Sequence, residues 1–443
     1  MPHNWGQRGL SSIGHPLFLT PPPLPTSHDA APPNARTLSA QSIQELGIYE
    51  RKSVLTSVLT VCKRTKLTEN ALRLFADLHD LPEGPVGPAL VGALPPAAQA
   101  ELKQLQDADA RCVSEMAQCL DAMGQVLREL VGVHETPPQL TQLKEEGKFH
   151  LEYLVSELGI TEQQVDAMYT AAKMRYETGD YVGSYAYLAL YEELKYPKQD
   201  DVPLEVSWGK FASALMGDDM LAQADQEMEY IAKALRVRGP LAMTDSSRLQ
   251  QRTWLLHWGL FLLANYPVRR DALIEFYMQE ENMMCMCLTC PWLLRYIIAS
   301  VLGSNAGPNK RFRYAPKTIL RTIAPEVAQL RDPFVAFLRA LLVDFDFEAG
   351  NKIIRDCQDA IATDIFLDRI VGAAFLASAR GFLFDVYCRV HQKIDLRTLA
   401  VQVDMSEEDV EKWVVGLIRS AALDAKVDST SRTVEMMQTP HSL

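Results

Sequence analysis

Apolar residues along most of the chain recur every three or four positions, the spacing that places them on one face of an α-helix. The clearest case follows Thr161, where one helical face would carry Val165, Met168, Tyr169, Ala172 and Tyr176. Thr161 is a suitable residue to cap the start of this helix, and Gly179 can adopt the left-handed conformation that ends it. A second helix is predicted over 182–195, and Pro197 stops it.

The same helix–turn–helix pattern recurs further along the chain. "SWGKFASALMGDD" places Gly217 38 residues after Gly179. The helix that follows carries apolar residues at spacings of three and four, namely Leu221, Ala224, Met228, Ile231 and Leu235. Later hairpins are predicted at 249–264 with 268–280, and at 332–343 with 347–361. Repeated hairpins indicate an all-α fold, an α-solenoid of tetratricopeptide- or HEAT-like repeats, whose open end needs a cap.

Residues 393–436 have the pattern of a winged helix, which would supply that cap. The first helical face is formed by Leu396, Leu399, Ala400 and Val403. Ser406 and Asp409 mark the start of a second helix, whose apolar face is formed by Val410, Val414, Leu417 and Ile418. The runs "AKVD" and "RTVEM" predict a hairpin with Val427 and Val434 facing inward.

Charge argues against a nucleic-acid reader at this module. The whole chain carries a net charge of -12, and residues 394–428 contain 8 acidic and 4 basic residues. The second helix opens with "EEDVE", which suits a helix N-terminus but would repel phosphates there. We therefore interpret the winged helix as a protein-docking module whose hairpin edge accepts a strand.

Two sets of residues follow from this interpretation. The predicted partner-binding edge consists of Asp424, Ala425, Lys426, Val427, Thr433, Val434 and Met436. Trp413 and Leu417 are predicted to anchor the winged helix to the helices before it.

Composition divides the chain into segments. Residues 1–37 contain eight prolines, which predicts a disordered extension. The next segments are predicted as an N-terminal helical region (38–148), with a Pro/Gly-rich break at 81–96 and one long helix over 97–130, and tetratricopeptide-like repeats (149–245). They are followed by a further helical segment (246–392), the winged helix (393–436) and a tail (437–443).

Residues for catalysis or metal binding are not predicted. The sequence lacks a Walker loop, a dinucleotide-binding glycine fingerprint, a G-x-S-x-G elbow and an H-E-x-x-H pair. Cys285, Cys287 and Cys290 suggest either a metal site or a buried Met-rich packing surface. We favour packing, because a closed zinc site needs four ligands and the sequence nearby offers only three. We expect no enzyme activity, no cofactor and no small-molecule substrate.

A basic stretch, "NKRFRYAPKTILR", is the one candidate for RNA. Lys310, Arg311, Arg313 and Lys317 would contact mRNA or ribosomal RNA while the aromatic residues between them stack on bases. The alternative, an ordinary solvated loop before an amphipathic helix, is the one we favour.

The apolar runs and the cysteines bear on where in the cell the protein is found. The longest apolar run, 254–264, is shorter than the ~20 residues of a membrane-spanning helix, so we predict a buried core helix and no membrane partner. Eight cysteines scattered along the chain fit a reducing compartment, and we predict a cytoplasmic protein.

A helical array that ends in an acidic winged helix resembles the PCI-domain family, named for the proteasome lid, the signalosome and initiation factor 3. Within it, several stretches resemble the family of E subunits of eukaryotic translation initiation factor 3. They are "LKQLQ", "AAKMRYETGDYVGSYAYL", "QQRTWLLHWGLFLLANYPVRRD", "CPWLLRYI", "FDFEAGNKIIRDC" and "FLFDVYCRVHQKIDLRTLAVQVDMSEEDVEKWVVGLIRSAALDAKVDS". The resemblance extends over about 98–430, and it implies that 246–392 is the helical part of a PCI domain.

This resemblance implies a non-catalytic scaffold subunit. It would contact other PCI subunits of the factor through the winged helices and bind the small ribosomal subunit in mRNA recruitment. A subunit of the proteasome lid or signalosome, or a winged-helix RNA-binding regulator, are the alternatives. The extension 1–37 has no counterpart in the family, and the tail 437–443 is too short for the further C-terminal helix that the family joins to a bundle.

Overall fold

The computed structural model describes residues 48–79, 81, 94–132, 137–197, 202–236, 244–304, 315–323, 331–391, 393–403, 406–421, 425–428 and 432–436. Our predictions for the proline-rich extension, for most of the break at 81–96 and for the tail lie outside these residues. The chain forms two compact units, Met1–Ala234 and Leu235–Leu443. This division lies between 234 and 235, whereas we predicted a boundary between 245 and 246.

The first unit is helical throughout its described residues. Its helices are α1 (Ile48–Arg64), α2 (Thr68–Leu78), α3 (Pro96–Met123), α4 (Gln125–Val131), α5 (Pro138–Glu145), α6 (Leu151–Leu158), α7 (Glu162–Thr178), α8 (Tyr181–Lys195), α9 (Leu204–Met216) and α10 (Leu221–Arg236), the last of which runs two residues past the division. Helices next to each other in sequence pack together, as α7 with α8 and α8 with α9.

The predicted α7–α8 turn is present. The Thr161 hydroxyl accepts the Gln164 N–H, the Gln164 side chain accepts the Thr161 N–H, and together they form a capping box. Gly179 ends α7 at φ +97°, in the left-handed region. Asp180 then caps α8 by accepting the Gly183 N–H at 2.9 Å. The predicted apolar face of α7 lies in the core of this unit, where Val165, Met168 and Ala172 are fully buried.

Two glycines adopt backbone conformations that the sequence pattern did not predict. The helix predicted over 97–130 is broken, because Gly124 takes φ +77° and ψ 156° between α3 and α4. A Cβ at 124 would lie 2.4 Å from the Gln164 amide nitrogen, so that position favours glycine. At the second "GDx" turn, Gly217 is extended and Asp219 takes the positive φ of 55° instead.

A buried ion cluster connects the last three helices of the first unit. The Lys210 ammonium lies on α9, 2.7 Å from a Glu192 oxygen on α8 and 2.5 Å from a Glu227 oxygen on α10. Burial raises the pKa of the Glu227 carboxyl. The carboxylates of Glu227 and Glu192 raise the pKa of the Lys210 ammonium, although burial alone would lower it. A charge at this position is therefore stabilised only while its partners remain in place.

The second unit is helical up to the winged helix. Its helices are α11 (Asp245–Asn265), α12 (Arg270–Tyr277), α13 (Glu280–Thr289), α14 (Leu294–Ser304), α15 (Ala315–Thr322), α16 (Pro333–Leu342), α17 (Phe347–Thr363), α18 (Ile365–Ile370) and α19 (Phe375–Val390), with single 3-10 turns at Pro267–Arg269, Pro291–Leu293 and Gly372–Ala374. The predicted hairpin of 332–343 with 347–361 is α16 with α17. The apolar run 254–264 lies in α11, and its leucines are buried as predicted.

Helix α17 is the junction of this unit. It packs against α16, α18, α19 and the first helix of the winged helix. Its buried residues recur every three or four positions, at Phe347, Gly350, Ile354, Cys357 and Ile361. Gly350 allows a close approach to α16, because a Cβ there would lie 2.8 Å from the Leu341 methyl group. One helical face therefore holds both the hairpin and the cap.

The winged helix consists of β1 (Lys393–Asp395), α20 (Leu396–Val403), α21 (Glu407–Ala421), β2 (Ala425–Asp428) and β3 (Thr433–Met436). The strands form an antiparallel sheet in the order β1-β3-β2. Strand β1 was not predicted, because three residues give too short an alternation to read. With this module at the end of the helices, the predicted fold class is confirmed.

We predict that Asp332 is a key stabilising residue of the second unit. Its carboxylate is 1% exposed and caps α16 through the N–H groups of Phe334 and Val335. It also accepts a hydrogen bond from Nε of Arg295 on α14 at 2.8 Å and lies 2.7 Å from Nη2 of the same guanidinium. Asp332→Ala should lower the free energy of unfolding by about 3 kcal/mol, since it removes a cap and leaves the half-buried guanidinium without its carboxylate.

The matched control is Asp346→Ala. Asp346 caps α17 through the Ala349 N–H at 2.9 Å, but it is exposed. Its loss should cost about 1 kcal/mol. Urea unfolding of both variants tests the difference, and equal losses would contradict the role assigned to Asp332.

A second prediction concerns the sheet. Val434 in β3 is fully buried, whereas Val427 opposite it in β2 is half-buried. Val434→Ala should cost about 1–2 kcal/mol and Val427→Ala less than about 1 kcal/mol. Amide hydrogen exchange over 393–436 should accelerate more in the first variant. Equal acceleration would show that β3 is not the core strand.

Candidate protein-docking site

The sheet of the winged helix has one apolar and one polar face. Ile394, Val434 and Val427 lie side by side across the three strands, and the first two are at most 1% exposed. The adjacent row across the sheet is Lys393, Glu435 and Lys426. The Lys393 ammonium lies 2.9 Å from a Glu435 carboxylate oxygen on the exposed face. The inward-facing valine pair that we predicted is therefore present, with Ile394 as a third member.

The strand order corrects part of the predicted docking edge. Strand β3 lies between β1 and β2, and Thr433 and Val434 each have a paired residue on both neighbouring strands. These two residues were wrongly assigned to a free edge. Met436 is paired with Ala425 of β2, and its assignment to a docking edge stays a prediction. The unpredicted β1 takes the place next to β3 that the hairpin alone would leave open.

Two edges remain for a partner strand. Among the described residues, β1 and β2 each have a strand on one side only. Ala425, Lys426 and Val427 belong to β2 and therefore keep their predicted place at an edge, while Asp424 lies outside the described residues. Unpaired N–H and C=O groups along an edge strand can hydrogen-bond to another chain. Docking through these residues stays a prediction.

Helix α21 is capped as predicted, and its exposed start is acidic. The Ser406 hydroxyl accepts the Asp409 N–H at 3.2 Å, and its own hydrogen bond with the Asp409 carboxylate is 2.6 Å long. Glu408 and Asp409 are exposed in the first turn of α21. These carboxylates complement the helix dipole and disfavour a phosphate backbone at this end of the helix.

Buried valines and leucines form the described part of the apolar core of the winged helix. Leu396, Leu399, Val410 and Val414 are each at most 2% exposed, and α20 packs on α17. The side chains of Trp413 and Leu417 lie outside the described ones, so their role as the anchor stays a prediction.

The basic stretch is described only in part. Lys310, Arg311 and Arg313 lie outside the described residues. Lys317 is half-buried in α15, whose Ala315 and Ile319 are in the core. An RNA contact by these four residues stays a prediction.

The three clustered cysteines are mainly packing residues. Cys285 and Cys290 are at most 2% exposed, and Cys287 is half-buried. Burial raises the pKa of the Cys290 thiol to about 12, which opposes the thiolate form that a metal requires. In the part of the chain that the structure describes, no group of three or more His, Cys, Asp or Glu side chains is placed to hold a metal ion.

The apolar helices are short for a membrane. Within the described segments, no single helix is both long and apolar enough to cross one. The pair Glu280–Thr289 and Pro291–Ser304 meets the length and composition requirement only when taken together, and it is bent by 119°.

Similarity to known proteins extends beyond the winged helix. A family model of the PCI domain matches residues 355–438, from within α17 to the end of the sheet. The chain is 30% identical over 413 residues to the E subunit of eukaryotic translation initiation factor 3 from Pyricularia oryzae, covering 92% of this chain and 85% of that protein. It is 28% identical over 409 residues to the corresponding Arabidopsis thaliana protein, covering 90% and 85%.

A third relative, the E subunit of the same factor from Neosartorya fischeri, is 30% identical over 332 residues, which cover 72% of each chain. The resemblance seen in the sequence is therefore confirmed over most of the length of these proteins. The chain belongs to the family of E subunits of eukaryotic translation initiation factor 3, and its winged helix is the C-terminal part of a PCI domain.

Proposed function

We propose that this chain is a non-catalytic scaffold subunit of the translation initiation factor 3 complex in the cytoplasm. It joins other PCI subunits through its winged helix and binds the small ribosomal subunit during mRNA recruitment and translation initiation. Support comes from relatives that carry the name of this subunit and align along most of their length.

The observation that carries the docking part of this proposal is the pair of open strand edges. A strand from a neighbouring subunit would hydrogen-bond to β2 or β1 and extend the sheet. Backbone hydrogen bonds would supply affinity, while the side chains that alternate between the two faces would select the partner. The acidic start of α21 supports a protein partner over a nucleic acid.

A non-catalytic role agrees with the buried titratable groups. Burial is the first cause of the raised pKa of Tyr176, to about 12, and of Cys290. Both groups are held in their neutral forms, whereas a catalytic nucleophile requires a lowered pKa. Neither group is therefore activated for chemistry.

The overall test is purification of the tagged full chain from cells. We expect other initiation factor 3 subunits in the eluate and co-sedimentation with small ribosomal subunits in a sucrose gradient. Recovery of proteasome-lid or signalosome subunits instead would overturn the assignment to initiation factor 3. Salt-sensitive RNA binding by the isolated chain, tested in about 50 mM salt, would favour an RNA-binding regulator.

We predict that one of two proline substitutions in β2 separates folding from docking. N–H groups of successive strand residues point to opposite sides, so the N–H groups of Lys426 and Val427 differ in whether they face β3. Proline removes the donor. One of Lys426→Pro and Val427→Pro should loosen the sheet. The other should retain it and lose about tenfold or more of its bound PCI subunits.

The two outcomes are read by hydrogen exchange at Val434 and by quantitative mass spectrometry of the co-purified subunits. If the variant that preserves slow exchange at Val434 also keeps all its partners, β2 is not the docking edge. The corresponding substitutions in β1 would then be the next to test.

A further inference from the structure

A hydrogen bond between two half-buried rings joins α11 to the turn between α13 and α14. The indole N–H of Trp292, in the 3-10 turn Pro291–Leu293, donates to Nε2 of His257 at 3.1 Å. On the other side of the imidazole, Nδ1 lies 2.8 Å from the carbonyl oxygen of Thr253, one helical turn earlier. The two ring centroids are 5.8 Å apart. His257 is therefore held through both of its ring nitrogens.

These two partners fix the protonation state of His257. A carbonyl oxygen can only accept a hydrogen bond, so Nδ1 carries a proton, and an indole N–H can only donate, so Nε2 carries none. The imidazole is thus held as the neutral Nδ1–H tautomer. A second proton would have to bind Nε2, where it would replace the hydrogen bond to Trp292 with two opposed N–H groups.

The charged and titratable groups around α11 are engaged with other partners or face the solvent. Helix α11 packs against α12, α13, α18 and the turn Pro267–Arg269. The engaged groups are Asp245 with Arg248, Glu281 with Arg252, Tyr277 with the Leu256 carbonyl, Arg270 with the Ile370 carbonyl, Arg369 with Asn265, Asp364 with Tyr296, and Cys285 with the Thr253 hydroxyl. Arg269 and Cys287 are half-buried with contacts of their own, and the exposed groups are Asp271, Glu275, Glu280 and Asp368. Among the described residues, no carboxylate is paired with His257 to stabilise an imidazolium.

The contact is most stable at neutral pH. Burial lowers the pKa of the His257 imidazole, and the hydrogen bond to the Thr253 carbonyl offsets this only in part. In an opened, solvated state the same imidazole has a pKa of about 6.5. The stability that the closed contact contributes is therefore fully present above about pH 6.5 and is lost as the pH falls below that value.

Trp292 is the part of this joint that can move. Leu293 and Leu294, which follow it, are 2% and 0% exposed, so they anchor the turn in the core. The indole is only half-buried. Loss of its hydrogen bond would release the ring from α11 while the turn itself stays in place, even though α13 and α14 bend by 119° at this point.

We propose that the His257–Trp292 contact is a pH-sensitive switch in the second unit. At neutral pH the indole of Trp292 is docked on Nε2 of His257. In mildly acidic solution Nε2 binds a proton, the hydrogen bond is lost, and Trp292 leaves α11. The switch requires neither strand addition nor the function proposed above.

The test is hydrogen exchange of the full chain at about pH 7.5 and about pH 6.0, read by mass spectrometry in peptides from α11 and from the α13–α14 turn. After correction for the intrinsic pH dependence of exchange, opening of these peptides should increase about threefold at the lower pH. In His257→Gln this increase should be absent. The glutamine amide can accept from the indole and donate to the Thr253 carbonyl, but it does not titrate.

Trp292→Phe is the second variant, and it carries the test if His257→Gln does not fold. Without the indole N–H, Nε2 is free to bind a proton, so the response to pH should be smaller than in the unsubstituted chain. The matched control is His150→Gln, which replaces an exposed histidine in the first unit and should keep the threefold response. The proposal is overturned if the unsubstituted chain shows no response at these peptides, or if either variant at the contact responds as strongly as the unsubstituted chain.

Discussion

Burial of the apolar face of α17 is the interaction on which the second unit depends. Phe347, Ile354, Cys357 and Ile361 are buried along this helix, which packs against α16, α18, α19 and α20. An array of helical hairpins leaves the apolar face of its last member uncovered unless another element covers it. In this chain α20 provides part of that cover. The same helix face thus explains why a winged helix follows the array directly and why it is fixed to it.

The position of β3 decides how this cap can be used. With β1 on one side and β2 on the other, β3 is paired on both sides along Thr433–Glu435, and its Val434 is fully buried. The outer strands remain for contact with a partner. Among the described residues, no further strand pairs with the outer edge of β1 or of β2. This arrangement is well suited to a subunit within a larger assembly.

The parts of the fold that local chemistry dictates were predictable. The capping residues Thr161 and Ser406, the left-handed Gly179 and the buried face of α7 all follow from patterns within a single helix or turn. The break at Gly124 did not, since a glycine inside a helical pattern is usually tolerated, and its positive φ of 77° appears only in the folded chain.

The docking edge was predicted only in part, for a related reason. The β2–β3 hairpin is local and could be read from alternation, but β1 lies about 30 residues earlier in the chain and is three residues long. Its pairing with β3 is a tertiary contact, and it moved the free edge away from Thr433 and Val434. The positive φ of Phe345, +52°, was equally inaccessible, because nothing in "DFDFE" indicates which residue takes it.

The central claim is that the winged-helix sheet joins this chain to its neighbours by strand addition. The most direct measurement is an electron cryomicroscopy structure of the complex purified through the tagged chain. The account predicts that a strand of an adjacent subunit continues the sheet beyond β2 or β1, with backbone hydrogen bonds to one of these strands. A three-stranded sheet with both outer edges in solvent, in a complex that is otherwise intact, would contradict it.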